Sequence, residues 1–311
     1  MNDRLKTYIE WMKASSLFPL PSSLCFAVDC SNGMASILVH ELFPEAVIIN
    51  DTLDGTFPNH SPNPLKAEAR EQIAALVRER KLDCGVIFDG DADRCMFVDE
   101  RGEFVQPDYL IPVVARATSS TAKSLNRLTA QPPKIIHDVR TSRGAIEELK
   151  RMGCEPVMVP VGHAFAKPIL RKIGAVCGGE LAGHYYFSEF HGCDSGVLAA
   201  LRILGEIAKA KAGGKTFSEM MRPISGVYAN SGEMNFRVED KDAAIARVLS
   251  VAQAKLPREL SRNDMDGLRL EYEEGWINIR KSNTEPYLRL LAERRGDVMS
   301  WVSILSSAIT Q

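Results

Sequence analysis

The amino-acid sequence predicts an α/β protein: two α/β domains, each built on a mainly parallel mixed sheet, followed by a smaller α+β domain. Up to about residue 223, short apolar segments alternate with helical patterns, which is typical of mainly parallel sheets covered by helices. Beyond Pro223 the predicted strands follow one another more closely, as in an α+β layer. A chain of 311 residues suits two or three domains of common size. We expect these domains at 1–118, 119–223 and 224–311.

The first predicted domain begins with an amphipathic helix, because Leu5, Ile9 and Met12 recur at helical spacing. Residues 51–64 are rich in Gly, Pro and Asn and are expected to form a long loop. A segment rich in Ser and Thr at 119–133 is expected to be a linker. The regular elements predicted in this domain are helices at 3–14, 34–43 and 65–80 and strands at 24–30, 45–50, 83–88 and 95–98.

The alternation of strands and helices resumes after the linker. The third helix of this second domain is expected to end at Gly213-Gly214, a plausible helix stop. The second domain is predicted to have strands at 135–138, 154–159 and 175–178 and helices at 143–152, 163–172 and 194–211. The third is predicted to have strands near 233–238, 268–272, 276–280 and 287–293 and helices at 241–255 and 297–309.

Composition and charge indicate an ordinary soluble globular protein, with 45% hydrophobic and 25% charged residues. A formal net charge of −2 provides no basic field, so neither nucleic acid nor a membrane is an expected partner. The seven cysteines are scattered and lack C-x-x-C spacing, which argues against disulfides and zinc and favours the cytoplasm. Neither a signal peptide nor an apolar run long enough to span a bilayer is apparent.

A candidate metal loop follows the predicted strand at 83–88, where Asp89, Asp91 and Asp93 occupy alternate positions. Three aspartates at this spacing in a turn can converge on one cation, and hard oxygen ligands favour Mg²⁺. Arg94 comes directly after them, which suggests that an anion such as a phosphate also approaches. Two alternatives are a solvated acidic turn and an EF-hand. However, Arg94 stands where an EF-hand needs glycine, and both flanks look like strands.

A second candidate loop, with Glu180 and His184, follows the predicted strand at 175–178. A carboxylate at the carboxyl end of a strand lies where α/β sheets bind ligands. Glu180 could accept hydrogen bonds from two neighbouring hydroxyl groups, and His184 could move protons or bind phosphate. The alternative is a glutamate at the start of a helix beside a buried histidine.

A third candidate loop contains Arg280, Ser282, Asn283 and Thr284. A guanidinium, two hydroxyls, an amide and successive backbone N–H groups match the three oxygens of a phosphate. Arg289 on the following strand is a candidate second cation. The alternative is an ordinary polar hairpin loop.

With these motifs, the chain resembles the α-D-phosphohexomutases, and in particular the bacterial phosphomannomutase branch, from about Leu24 to the C-terminal end. The resemblance implies the family's domains 2, 3 and 4 and phosphoryl transfer on hexose phosphates or bisphosphates, with mannose or glucose as the sugar. The other segments that carry it are 28–33 (VDCSNG), 54–60 (DGTFPNH), 161–165 (VGHAF), 194–196 (DSG) and 231–235 (SGEMN).

The resemblance also implies a role for each candidate residue. The three aspartates would bind Mg²⁺, Glu180 would hold sugar hydroxyls, and the 280–284 loop, with Arg289 beside it, would hold the substrate phosphate. Arg140 cannot act as a base because a guanidinium stays protonated, so His184 is the better candidate for proton transfer. The expected catalytic residues are His184, Arg94 and Arg140, and the cleft would be lined by His163, Lys167, Arg140 and His184.

Two departures from the family pattern affect the expected activity. Family members carry a phosphoserine in a Thr-Ala-Ser-His-Asn-Pro loop of their first domain, and this chain begins where their second domain begins. Ser61 lies in a sequence that only superficially resembles that loop, and we do not expect it to be a nucleophile. Ala182 stands where the family usually has serine. The hydroxyl of that serine, and with it a hydrogen bond worth about 0.5–1.5 kcal/mol, is missing here. The sequence therefore does not fix which hexose is preferred.

Three functions remain open from the sequence. The first is a phosphohexomutase-type isomerase whose serine-bearing domain is on a second polypeptide or was removed by truncation, with a homo-oligomer as another arrangement. The second is a regulatory protein that binds a sugar phosphate without mutase activity. The third is a repurposed Mg²⁺-dependent phosphoryl-transfer enzyme that acts without phosphoserine.

Overall fold

The structure, a computed structural model, describes residues 3–124, 131–282 and 286–310. It contains three sheets with helices packed against them, two of them mixed and one antiparallel. This arrangement confirms the predicted fold class. Within the described ranges, no helix combines the length and the apolar character needed to cross a bilayer.

The first sheet has the strand order β2-β1-β3-β4-β5. β1 runs parallel to β2 and β3, whereas β4 is antiparallel to β3 and to β5. The buried strands β3 and β4 form its centre, so the loop between them projects from the carboxyl end of β3. The elements of this part are α1 (Asp3–Ala14), β1 (Phe26–Asp29), α2 (Val39–Leu42), β2 (Val47–Ile49), α3 (Glu71–Arg80), β3 (Cys84–Phe88), β4 (Cys95–Asp99) and β5 (Phe104–Val105).

The second sheet has the order β10-β9-β8-β6-β7, with β6 parallel to β7 and β8 and the other pairs antiparallel. Its elements are α4 (Ile111–Ser124), β6 (Lys134–Asp138), α5 (Arg143–Arg151), β7 (Glu155–Val159), α6 (His163–Ile173), β8 (Cys177–Gly179), β9 (Tyr185–Phe187), β10 (Cys193–Asp194), α7 (Gly196–Ala212) and α8 (Phe217–Ser225).

The third sheet is antiparallel, with the order β11-β16-β15-β14-β13, and β12 also pairs with β16. Two helices, α9 and α10, pack against it and against each other around a separate apolar core. Its elements are β11 (Ala229–Asn230), β12 (Met234–Arg237), α9 (Lys241–Lys255), β13 (Ser261–Asn263), β14 (Leu268–Glu271), β15 (Gly275–Lys281), β16 (Tyr287–Arg294) and α10 (Val298–Thr310).

Several predicted elements are corrected by the structure. The expected helix at 34–43 is a 3₁₀ turn at Met34–Ile37 followed by the single turn α2, and the helix at 65–80 begins with a 3₁₀ turn at Ala67–Arg70. The predicted linker at 119–133 is wrong for residues 119–124, which continue α4. That helix is buried against α7 and the second sheet, and this packing outweighs the Ser and Thr content of its last turn. The domain division at 118 and 119 stays a prediction.

The first two sheets share one apolar core, which extends from Ile9 on α1 to Ile224 on α8. Helices α4 and α7 pack against each other inside it. The third sheet is joined to the second part by a small apolar cluster, Leu181 with Trp276 and Leu291, and by buried polar contacts. Arg269 is buried and donates hydrogen bonds to the backbone oxygens of Val139 (2.6 Å) and Thr141 (3.1 Å).

A second set of buried polar groups lies at the same junction. Asp108 Oδ2 accepts a hydrogen bond from the backbone N–H of Ser142 (2.8 Å), and Glu293 Oε1 accepts one from that of Arg143 (2.7 Å). Glu293 also accepts a hydrogen bond from Trp276 Nε1 (2.9 Å). Burial raises the pKa of Asp108 to about 7, and the Glu293 carboxylate adds to this effect. The junction therefore contains a carboxyl group that burial favours in its protonated form.

Replacing Asp108 with Asn should make the protein's stability less dependent on pH. Because the folded pKa of about 7 exceeds the ordinary 3.8, folding takes up a proton between these values. The stability that protonated Asp108 contributes therefore falls as the pH rises, by at most about 1.4 kcal/mol per pH unit. We expect Asp108→Asn to gain unfolding temperature relative to wild type between pH 5 and pH 8. The exposed Asp264→Asn is the control, and an equal effect at both pH values would contradict this account.

Candidate functional site

The β3–β4 loop holds three carboxylates close together. Oxygen atoms of Asp89, Asp91 and Asp93 lie within 4.8 Å of one another, so one cation can contact all three. Asp89 is buried and is fixed by Arg94, which donates hydrogen bonds from its backbone N–H (3.0 Å) and from Nε (2.6 Å). Asp93 Oδ1 is buried and accepts no hydrogen bond from any residue in the described ranges; Arg94 Nε lies 3.7 Å from it.

Two glycines allow the backbone around this loop to pack tightly. A Cβ atom on Gly33 would lie 2.4 Å from the carbonyl oxygen of Gly90, and one on Gly196 would lie 2.6 Å from that of Arg94. The loop is also held by hydrogen bonds from the N–H groups of Met34 to Gly90 O (2.9 Å) and of Gly196 to Ala92 O (3.2 Å). The start of α7 and the segment after β1 thus fix the loop from two sides.

Burial and neighbouring charges destabilise the ionised forms of Asp89 and Asp93. Burial raises the pKa of Asp89 to about 6, with Asp93 adding to the shift and Arg94 opposing it. Burial also raises the pKa of Asp93, helped by the charges of Asp91 and Asp194. A cation placed among these oxygens would relieve both burial and repulsion, so the donor set fits a hard divalent ion.

A backbone pairing joins this loop to the predicted sugar-binding loop. Arg94 and His184 form an antiparallel bridge, and the N–H of Cys95 donates to the carbonyl oxygen of Gly183 (3.3 Å). The pairing places His184 Nδ1 3.7 Å from Asp93 Oδ2. The carboxylates of the first sheet and the histidine of the second therefore belong to one site.

His184 is held by two carboxylates and an aromatic ring. Its Nδ1 lies 3.0 Å from Asp194 Oδ2, and Lys167 Nζ lies 2.7 Å from the other oxygen of Asp194. The ring stacks on Tyr186, and the ring of His163 lies 6.0 Å away, edge to face. Although burial lowers it, the pKa of His184 is raised overall by Asp194 and Asp93.

Glu180 lies at the carboxyl end of β8 with its carboxylate buried. Tyr186 donates its hydroxyl proton to Oε1 (2.5 Å), and the backbone N–H of Gly162 donates to Oε2 (3.2 Å). Burial and the neighbouring Asp138 raise its pKa. A carboxylate oriented in this way retains lone pairs for further donors.

Arg140 connects the second sheet to the third. Asp138 accepts hydrogen bonds from its Nη2 (2.7 Å) and Nε (3.2 Å), and a Glu180 oxygen lies 3.9 Å away. On its other side, Nη1 donates to Glu233 Oε2 (3.4 Å). Glu233 also accepts hydrogen bonds from Arg280 Nη2 (3.1 Å). Arg140 thus links Glu180 of the second loop to Glu233, which in turn binds Arg280 of the third loop.

The third loop begins at the end of β15, where Arg280 and Arg289 face each other across the β15–β16 pair. Both donate to Glu233, Arg289 through Nη1 at 3.0 Å. Ser282 donates its backbone N–H to Tyr287 O (2.9 Å), which closes the hairpin. Asn283 and Thr284 were also predicted for this loop and lie outside the described residues.

The predicted site residues within the described ranges form one continuous set of contacts from the first sheet to the third. Four participants were not predicted to have a role, although two of them lie in motifs quoted above. The sequence signal was strongest for Asp194, in Asp-Ser-Gly, and for Glu233, in Ser-Gly-Glu. Nothing in the sequence pattern pointed to Asp138 or Tyr186, whose importance depends on neighbours distant in the chain.

Replacing Asp194 with Asn should lower the pKa of His184, because the carboxylate stabilises the protonated ring through a hydrogen bond and through its charge. The titration of His184 can be followed by NMR of its ring C–H signals in metal-free buffer. His60 pairs instead with Asp29 Oδ2 (3.0 Å), and its pKa should stay the same in both proteins. An unchanged pKa of His184 in the variant would show that Asp194 does not control this ring.

Models of three phosphoglucomutase/phosphomannomutase domains match the chain. The model of alpha/beta/alpha domain II matches residues 6–102, that of alpha/beta/alpha domain III matches 106–227, and that of the C-terminal domain matches 233–298.

Individual proteins are similar over nearly the whole chain. A phosphomannomutase of Salmonella montevideo is 39% identical over 307 residues, which covers 95% of this chain and 62% of the relative. A Xanthomonas campestris protein described as phosphohexose mutases is 36% identical over 298 residues, covering 94% of this chain and 62% of the relative. The solved structure of a phosphoglucomutase/phosphomannomutase family protein from Burkholderia thailandensis has a TM-score of 0.81 and 27% identity, covering 98% of this chain and 64% of that one.

The chain spans less than two thirds of the length of these relatives. Within that span, all three domain models and both relatives agree, so this chain belongs to the phosphoglucomutase/phosphomannomutase family, the α-D-phosphohexomutases.

Proposed function

We propose that this chain supplies the metal-, sugar- and phosphate-binding part of a phosphohexomutase site that moves a phosphoryl group between the 1- and 6-positions of mannose or glucose. One observation carries the proposal: contacts run without interruption from the three aspartates through His184, Glu180 and Arg140 to the arginines of the third sheet. Carboxylates suited to a cation stand at one end and guanidiniums suited to a phosphate at the other.

Asp89, Asp91 and Asp93 would hold Mg²⁺ at the first end. Their oxygen atoms suit this ion. Asp93 Oδ1 is buried, and no described residue donates a hydrogen bond to it, so its lone pairs remain for the cation. When bound, Mg²⁺ would neutralise charge on a phosphoryl group during transfer. Arg94 keeps Asp89 in place, and the guanidinium of its partly exposed side chain would also contact the same phosphoryl group.

Glu180 would bind the sugar in the middle of the site. The hydrogen bonds from Tyr186 and Gly162 fix the orientation of its carboxylate, so its remaining lone pairs can accept hydrogen bonds from neighbouring sugar hydroxyls. His163 and Lys167 lie on the same side, next to His184 and Asp194. A rigid carboxylate between the metal loop and the arginines suits a ligand that is turned around within the site.

Arg280, Ser282 and Arg289, with Asn283 and Thr284, would bind the phosphate that is not reacting. Arginine guanidiniums bind phosphate oxygens through paired, charge-assisted hydrogen bonds. Arg140 would add a third guanidinium from the second sheet, held in position by Asp138.

His184 would transfer the proton of the attacking or leaving hydroxyl. Its Nδ1 faces Asp194 and its ring lies beside the metal loop, so the other ring nitrogen is the one left for the ligand. The raised pKa of His184 keeps a protonated fraction near neutral pH, which suits a group that both gives and takes a proton.

The covalent phosphoryl carrier would be a phosphoserine on a separate serine-bearing domain. Ser61 fits this role poorly. It belongs to the loop whose residues Phe57 and Pro62 pack beside Gly90 of the proposed metal-binding turn. The chain's own residues would therefore bind and orient the ligand while the carrier approaches the metal end.

Asp91→Asn should weaken Mg²⁺ binding by roughly tenfold or more, because it removes one of three charged ligands. Asp91 is exposed, so the variant should fold as well as wild type in metal-free buffer. Calorimetry and the Mg²⁺-dependent rise in unfolding temperature would measure the effect. Equal affinity in Asp91→Asn and wild type would remove Asp91 from the ligand set, with Asp264→Asn as the control.

Because burial raises the pKa of Asp89 to about 6, Mg²⁺ binding to wild type should tighten from pH 5 to pH 7 and release protons.

The proposed function predicts that the chain binds hexose 1- and 6-phosphates and that Arg280→Ala weakens this binding by roughly tenfold to a hundredfold, since charge-assisted hydrogen bonds are lost. Arg294→Ala is the matched control, because Arg294 is on the same sheet and pairs with Glu274 instead (2.7 Å). Calorimetry would give both affinities.

Turnover is tested by mixing the chain with a phosphorylated serine-bearing domain from a relative and following the interconversion of mannose or glucose 1- and 6-phosphates. We expect activity only in the mixture with Mg²⁺. Binding without turnover in every mixture would favour a regulatory protein, and turnover or phosphate release by the chain alone would favour the third function considered above.

A further inference from the structure

We propose that Glu233 is a built-in competitor of the phosphate: its carboxylate occupies the arginine grip in the unliganded protein and leaves when a phosphate enters. The arginine grip is defined here as Arg140, Arg280 and Arg289. This inference rests on the proposed function, because it assumes that the grip binds the phosphate of the ligand.

Glu233 lies where the three guanidiniums converge. Its oxygens accept hydrogen bonds from Arg280 Nη2 (3.1 and 3.4 Å), Arg289 Nη1 (3.0 Å) and Arg140 Nη1 (3.4 Å). Arg280 and Arg289 belong to the third sheet, whereas Arg140 follows β6 of the second. One carboxylate therefore accepts hydrogen bonds from guanidiniums of two parts of the protein, as a phosphate bound there would do.

Carboxylates already surround the arginine grip. Among the described residues, its three arginines face three of them: Asp138, Glu180 and Glu233. Asp138 is bound to Arg140 through two donors and Glu180 is held by Tyr186, so both are fixed. Burial raises the pKa of Glu233, but Arg140 and Arg280 lower it by more, so the pKa lies below its ordinary value. The Glu233 side chain is therefore charged at neutral pH. A phosphate would bring a second anion to the same donors, and the two would repel each other.

The grip also contains a donor that Glu233 leaves unused. Arg280 Nε is buried and has no hydrogen-bond partner among the described residues, because Glu233 contacts only Nη2 of that guanidinium. A phosphate can accept from Nε and Nη2 together, the paired geometry that arginine favours. Exchange of the carboxylate for a phosphate would therefore satisfy this buried donor.

The exchange requires only a side-chain movement. The backbone before Glu233 is tied to β16, because Ser231 N donates to Ala292 O (2.9 Å) and Ala292 N donates to Ser231 Oγ (2.9 Å). The backbone after it is also held, since Met234 pairs with Leu290 in the β12–β16 ladder. Glu233 itself is partly exposed, so its carboxylate can rotate towards solvent while β12 stays in place.

The test compares the affinities of wild type, Glu233→Gln and Glu274→Gln for inorganic phosphate and for glucose 1-phosphate by calorimetry. If Glu233 competes with the phosphate, Glu233→Gln should bind both ligands roughly tenfold more tightly than wild type. Glu274→Gln removes a carboxylate from an arginine pair elsewhere on the same sheet and should bind as wild type does. If Glu233 instead serves to hold the arginines in position, Glu233→Gln should bind phosphate more weakly.

A measurement on wild type covers the case in which Glu233→Gln fails to fold. The ¹³C signal of the Glu233 carboxyl group, identified by its loss in Glu233→Asp, should move as inorganic phosphate is added and the carboxylate leaves the arginines. A signal that stays in place at saturating phosphate would overturn the inference, as would equal or weaker binding by Glu233→Gln. If wild type binds phosphate and hexose phosphate but the variant gains nothing, only this inference fails. If neither protein binds either ligand, the proposed function fails with it.

Discussion

The short backbone pairing between Arg94 and His184 is the contact on which the arrangement of this site depends. It joins two loops that extend from different sheets, and it sets the distance between the three carboxylates proposed to bind the metal and the histidine. The pairing is stable because the sheets behind it share one apolar core, with α4 and α7 packed between them. The proposed function would need a rigid junction here, because a misplacement of about 1 Å between catalytic groups lowers rates strongly.

The third sheet is attached in a different way. Its contacts with the second part include a small apolar cluster of Leu181, Trp276 and Leu291. They also include buried polar contacts: Arg269 lies over the ring of Trp276 (3.8 Å) and donates to backbone oxygens across the junction. Hydrogen bonds and ion pairs can exchange partners without opening an apolar core, whereas packed apolar surfaces separate only at a large cost. The part of the protein that we propose to hold the phosphate is therefore also the part whose attachment can most easily adjust to a ligand.

The sequence revealed each functional loop because each is a short local motif at the end of a strand, and the elements that carry them were predicted to within a few residues. The missed elements include helix α4, whose apolar first turns run into a stretch of Ser and Thr. They also include the short strands β5, β9, β10, β11 and β13 and helix α8, which a capping box between Thr216 and Glu219 stabilises. Long-range partners were also missed. Arg140 and Glu233 are 93 residues apart, and no periodicity or spacing indicates that they meet. Burial, which makes that contact matter, is a property of the folded chain alone.

The two ends of the site differ in their charge balance, and this difference implies an order of events. At the proposed metal end, the group of carboxylates of Asp89, Asp91, Asp93 and Asp194 is paired, within the described part of the chain, with two permanent cations, Arg94 and Lys167. An anionic phosphoryl group would be repelled there until a divalent cation supplies the missing charge. At the other end, three arginines and three carboxylates of the described residues face one another, so we expect a phosphate to enter by exchange with one carboxylate without an added cation. We therefore expect the arginine end to bind a phosphate with or without metal, and the metal end to accept one only after the cation is in place.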